Sequence, residues 1–243
     1  MKIKIKEIYD HLNFISPFDT QSSWDNSGLL IGNLNDEVTK IYLSLDIDEH
    51  LLDKACENSL FIVHHPLIFK GIKRISGNLY PQNLITKMIQ KNIALIAMHT
   101  NFDLSHLNEY FTEQILGLSV YSKEDFLIYC EVDFTFEDFV FYVKEKLNIE
   151  HLRVVQTKNN QLKKVAICTG SGGDLIANIK ADCFLSGDFK YHQALESYHN
   201  NLNLIDIGHY DSEKYFGEIL ARHLQKFPLE VIISVSKNPF QYF

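Results

Sequence analysis

Two adjacent histidines stand directly behind an apolar run, Phe61-Ile62-Val63-His64-His65-Pro66. Neighbouring residues of an extended chain point in opposite directions, so such a pair can address two ions, one per ring. Pro66 stops the strand ladder and biases His65 toward extended backbone. Taken alone, the pair reads more simply as hydrogen-bonded histidines at a strand end. Two further apolar runs end in a similar way. Ile93 to Met98 opens into His99-Thr100-Asn101-Phe102-Asp103, and Leu202 to Ile207 opens into Gly208-His209-Tyr210-Asp211-Ser212-Glu213. His209 and Glu213, four residues apart, share a face if both lie in a first helical turn. By itself, that segment reads more simply as a helix start capped by Asp211 or Ser212, with Glu213 complementing the dipole.

In open α/β sheets, ligands bind outside the carboxyl ends of the strands, so the three loops are expected to converge. Three imidazoles (His64, His65, His209) and two carboxylates (Asp103, Glu213), with no thiolate, suit Zn, Fe, Mn, Co or Ni better than Ca or Mg. A carboxylate bridges two ions where a neutral imidazole cannot; Glu213 is expected to bridge and Asp103 to be the other carboxylate ligand. Two divalent ions roughly 3.5–4 Å apart polarise a substrate and activate water near neutral pH. Gly170-Ser171-Gly172-Gly173 and Gly187-Asp188-Phe189-Lys190-Tyr191-His192 also follow apolar runs, but neither has the spacing of a nucleotide-phosphate fingerprint.

The elements that must position these groups alternate between short β-branched runs and segments of helical period. Strands are expected at Ile41 to Leu45, Leu60 to Val63, Ile93 to Met98, Leu152 to Val155, Lys164 to Thr169, a short one ending at Leu185, Leu202 to Ile207 and Val231 to Val235. Helices are expected at Asp48 to Asn58, Gln82 to Lys91, Asn108 to Leu118, Phe136 to Leu147, a segment including Gln193 to Tyr198, and Ser212 to Gln225. Continuous apolar strands between helices predict an α/β fold whose strands are covered on both faces. Two α/β lobes are expected, residues 1–124 and 125–243, with the C-terminal segment able to pack back on the first. Trp24 and Leu29 to Ile31 read as core or subunit-contact residues, and Asp25 with Asn26 as a turn cap.

The 243 residues are 46% hydrophobic, ample for a substantial core. A net charge of −8 argues against a nucleic-acid surface. The N-terminal segment has no apolar core of a signal peptide and no stretch reaches spanning length, so a cytoplasmic protein without a membrane segment is expected. Cys56, Cys130, Cys168 and Cys183 are scattered and read as buried thiols.

Five motifs, in order, resemble the GTP cyclohydrolase I type 2 family, also called the Nif-three-like family, over essentially the whole chain. They are Ser23-Trp24-Asp25-Asn26-Ser27-Gly28-Leu29-Leu30-Ile31-Gly32, Val63-His64-His65-Pro66, His99-Thr100-Asn101-Phe102-Asp103, Gly187-Asp188 to His192, and Gly208-His209 with Ser212-Glu213. The resemblance implies an interlocked two-lobe fold with the metal site between the lobes, and a homohexamer of the short form. It implies His64, His65, Asp103, His209 and Glu213 as ligands of two divalent ions per subunit, with His99 and His192 as proton-transfer or outer groups. Asp188 departs from the glutamate often found there and is left out of the ligand set. The implied reaction is opening of the GTP imidazole ring, with attack at C8, loss of formate and rearrangement to 7,8-dihydroneopterin triphosphate. Two other readings of the same residues stay open: a dinuclear hydrolase of a phosphoester or nucleotide, and a non-catalytic metal-binding ring scaffold.

Overall fold

The computed structural model describes residues 2–234 and 236–241. The chain has an α/β fold and divides into two compact units, residues 1–105 with 216–243, and residues 106–215.

The first unit is built on a five-stranded sheet in the order Glu230–Ile233, Lys40–Ser44, Leu60–Val63, Ala94–Ala97, Gly28–Ile31. The first four strands run parallel and Gly28–Ile31 is antiparallel at the edge. All four residues of Leu60–Val63 and of Ala94–Ala97 are buried, as fits strands covered on both faces. Tyr42, Phe61, Val63, Leu95 and Ala97 pack on one side with Leu84, Ile85 and Met88 of the helix Gln82–Gln90. The helix Phe216–Leu224 covers the other side. A Cβ on its Gly217 would sit 3.0 Å from Ile233 Cγ2, so the missing side chain lets the helix approach the sheet closely. The expected final strand ends at Ile233; Val235, which it was expected to include, lies outside the described residues.

The second unit holds a six-stranded sheet in the order Val120–Glu124, Leu127–Thr135, Gln161–Ser171, Cys183–Gly187, Asn203–Asp206, Arg153–Val155. Gln161–Ser171, Cys183–Gly187 and Asn203–Asp206 are parallel, and the outer strands antiparallel. The pleat sends Ile128, Cys130, Val165, Ile167 and Leu185 to one face and Leu127, Tyr129, Ala166, Cys168 and Phe184 to the other. The first face is covered by the helix Phe136–Leu147. Its Phe136, Phe139, Val143 and Leu147 are buried, its N-cap Thr135 accepts from Asp138 N, and Asn148 ends it in the left-handed conformation. Each such buried apolar side chain contributes about 1.5–3 kcal/mol relative to exposure.

Several elements differ from those the pattern predicts. The helix after Asp48 ends at Lys54, and the expected helix at Ser212 to Gln225 is two, His209–Glu213 and Phe216–Leu224. The helix expected from Asn108 begins earlier, at Thr100, and winds with wide π-type turns over Asp103–Leu107 and Phe111–Ile115. The helix Ile5–Ile15 and the hairpin Val120–Glu124/Leu127–Thr135 have no counterpart among the expected elements. Among the described residues no helix is long and apolar enough to cross a membrane. Cys130, Cys168 and Cys183 are buried thiols as expected, whereas Cys56 is exposed.

Candidate metal centre

Parallel pairing decides where the histidines of the first unit go. Ser44, Val63 and Ala97 end three neighbouring strands in register. Backbone bonding continues past them, with His64 N donating to Ser44 O at 3.3 Å, His65 N to Leu45 O at 3.0 Å and Met98 N to Val63 O at 2.8 Å. Asp46, the His64–His65 pair and His99 therefore leave one sheet edge side by side. The ring centroids of His64 and His65 lie 5.2 and 5.7 Å from that of His99. Nitrogens of the three rings fall within 4.8 Å of one another. Asp103 follows one helical turn after His99, its N donating to His99 O at 3.1 Å. Its Oδ1 comes within 3.5 Å of His64 Nε2.

Each of these rings has one nitrogen committed to an oxygen. His64 Nδ1 lies 2.9 Å from Met98 O, His65 Nδ1 2.9 Å from Asp46 Oδ1, and His99 Nδ1 2.8 Å from Asp25 Oδ1. Carbonyl and carboxylate oxygens only accept, so Nδ1 carries the hydrogen and the neutral ring presents the Nε2 lone pair. Metal-binding histidines are oriented in this way.

Asp25 does more than cap a turn. Its side chain is fully buried and accepts from His99 Nδ1, from Thr100 N at 3.0 Å, from the Thr100 hydroxyl, from Ser27 Oγ at 3.2 Å and from Asn26 N at 2.7 Å. Burial pushes its carboxyl up, but the hydrogen bonds from His99 and Thr100 outweigh that and hold it far below the usual range. Trp24, expected to be a core or subunit-contact residue, is 60% exposed and so not part of the core.

The second unit presents its groups from the same end of its own parallel strands. His209 and Glu213 occupy the short helix His209–Glu213, and His209 Nε2 lies 3.0 Å from Glu213 Oε2. His209 Nδ1 donates to Asp188 Oδ2 at 2.7 Å. That bond lowers the Asp188 carboxyl, with burial opposing it. Gly187 and Gly170 make room for this cluster. A Cβ on Gly187 would meet Gly170 O and His209 N at 2.7 Å. Gly170 has φ +66°, and a Cβ there would lie 2.1 Å from Glu213 Oε1. His192 is exposed in the first turn of the helix Tyr191–His199, its ring edge-on to Tyr191 with centroids 5.3 Å apart.

Ligands on one tetrahedral ion with bonds of ~2.1 Å lie about 3.4 Å apart. The 3.5 Å His64–Asp103 and 3.0 Å His209–Glu213 separations fit that spacing. Nitrogen and carboxylate donors with no thiolate fit a borderline divalent ion. Sequence reasoning missed Asp46 and the role of Asp25. The only local signal for Asp46 is a carboxylate just past the strand Lys40–Ser44.

The family model described as Duf34/NIF3 (NGG1p interacting factor 3) matches residues 3–239. A Campylobacter jejuni protein named GTP cyclohydrolase 1 type 2 homolog is 58% identical over 241 residues, covering 99% of this chain and 100% of that protein. A Helicobacter pylori protein named GTP cyclohydrolase 1 type 2 is 38% identical over 239 residues, covering 98% of each chain. The crystal structure of a Staphylococcus aureus hypothetical protein superposes with a TM-score of 0.86 at 31% identity, covering 99% of both chains.

Proposed function

Because the chain belongs to the Duf34/NIF3 family, we propose that it is a dinuclear metal-dependent hydrolase acting on the imidazole ring of GTP. The observation that carries the metal reading is the shared arrangement of His64, His65, His99 and His209. Each has Nδ1 tied to a carbonyl or carboxylate oxygen, and so presents Nε2. GTP as the substrate draws its support from the names of the relatives.

In this reading His64, His65, Asp103, His209 and Glu213 would hold the two ions. Divalent ions bound there would lower the pKa of a coordinated water and polarise the atom under attack. The protein's own groups do the rest. Asp46, Asp188 and the Met98 carbonyl keep three ligand rings in the tautomer that exposes Nε2. His99, oriented by Asp25, accepts the proton of the attacking water at Nε2. His192, exposed to solvent, passes a proton toward the leaving nitrogen. Assembly as a homohexamer is part of the same reading, and light scattering of the purified protein tests it.

The test of function is elemental analysis of the purified protein followed by product analysis with GTP. The reading expects close to two ions per chain, and formate with an oxidisable, fluorescent pterin product. Both are lost in His65→Ala and Glu213→Ala. Phosphate release with the guanine ring intact would transfer the reading to phosphoester hydrolysis. Metal-loaded protein inert toward GTP across the five candidate metals would overturn it.

A further inference from the structure

Two large aromatic side chains stand in solvent beside the histidine cluster of the first unit. Trp24 is 60% exposed and Phe69 43% exposed. Their centroids are 6.0 Å apart with planes at 62°, and both meet the His99 ring edge-on, at 6.1 and 6.2 Å. A T-shaped contact occupies one edge and one face, which leaves aromatic faces to water.

The pair is held in place. Trp24 sits in the segment 22–27, tied down by Ser22 N to Thr100 Oγ1 at 3.0 Å, Asp25 N to Ser22 O at 2.9 Å, and the buried Asp25 carboxylate. Asn26 Nδ2 donates to Ile68 O at 2.6 Å, which joins the Trp24 segment to the residue before Phe69. Folding alone gains nothing from keeping an indole fixed and exposed, since its transfer out of water is favourable.

Charge adds a second feature. In a chain of net charge −8, residues 66–81 contain Lys70, Lys73 and Arg74 and no acidic residue. All three cations are exposed, and among the described residues none makes an ion pair.

We propose that the open faces of Trp24 and Phe69 stack against the planar heteroaromatic ring of an anionic small molecule, with Lys70, Lys73 and Arg74 receiving its negative charge. The ring would then lie against His99, and Trp24 and Phe69 would determine which ligands are accepted. The inference rests on the metal-site reading for the chemistry that follows binding, but its test needs no turnover.

Trp24 is the chain's single tryptophan, so its emission reports this spot alone. Metal-free protein is titrated with guanosine monophosphate, guanosine, ribose 5-phosphate and inorganic phosphate. Saturable quenching is expected with the two purine compounds and none with the ringless anions. Phe69→Ala weakens guanosine monophosphate binding roughly tenfold, in line with the loss of one stacking partner. Combined Lys70→Gln, Lys73→Gln and Arg74→Gln weakens binding of the monophosphate and not of guanosine. Trp24→Ala, followed by equilibrium dialysis because it has no indole signal, loses binding while its circular dichroism is unchanged. Absence of saturable quenching, equal quenching by phosphate, or emission that changes with protein concentration alone would overturn the proposal, the last because a second copy would then be covering Trp24. Failure of the metal reading looks different: ring-dependent quenching persists while metal uptake and turnover are absent.

Discussion

Asp188 holds His209 through a 2.7 Å hydrogen bond from Nδ1 to Oδ2. The bond gives a role to a residue that is too short to count as a ligand by family pattern. Asp188→Ala is expected to weaken metal binding by roughly 10–100-fold, the usual effect of losing such a partner; competition with a chelating dye measures it. The same bond makes a stability statement. The folded Asp188 carboxyl lies below its unfolded value. Its contribution is therefore complete above the unfolded pKa of about 3.9 and is lost as pH falls through the folded value. Denaturant midpoints of metal-free wild type should drop more steeply below roughly pH 4 than those of Asp188→Asn.

Gly170→Ala should empty the site before it unfolds the protein. The new methyl would occupy the position of Glu213 Oε1, 2.1 Å from the ideal Cβ, at a residue with φ +66°. Stability is expected to fall by about 1–3 kcal/mol from overpacking and left-handed strain. Metal content should fall further than a thermal melt of the apo protein would suggest.

Asp25→Ala leaves the His99 ring and the Thr100 amide without their common acceptor. Leaving a buried donor without its acceptor costs about 1–3 kcal/mol. Urea titration should show a loss of that order. Trp24 emission should shift in the native state, because the segment carrying it is no longer anchored.

Thiol chemistry gives an independent check of the fold. Burial, helped by Glu113, pushes the Cys130 thiol up to about 12, and burial with Asp182 nearby raises Cys183 well above its ordinary value. Cys168 is buried and Cys56 exposed. A disulfide reagent at pH 8 should modify one thiol rapidly and the other three only on unfolding. Cys56→Ser should remove the rapid phase.

The strands that carry the histidines were readable because interior parallel strands are apolar throughout, as in Leu60–Val63 and Ala94–Ala97. The hairpin Val120–Glu124/Leu127–Thr135 was not. Its first strand has no buried residue, and in its second the short buried run Leu127 to Cys130 gives way to a half-exposed stretch as far as Thr135. At the N-terminus the alternation of lysine and isoleucine obscured the helical spacing of Ile5, Ile8 and Leu12. The orienting carboxylates were illegible for a different reason. Asp46, Asp25 and Asp188 lie 19, 74 and 21 residues from the histidines they hold. Only the sheet edge brings them together, and no local pattern encodes that.

Both sheets send their chemistry-bearing side chains out at one end of the parallel strands. At the other end of the first sheet the chain simply turns, through Asn58 and Asn92, joined by a 2.6 Å amide contact. Mutational load is thereby partitioned: a lengthened or reshaped turn there burdens folding alone. It is at that rim that a tag, a fluorophore or an inserted domain can be grafted while the ligand set keeps its register.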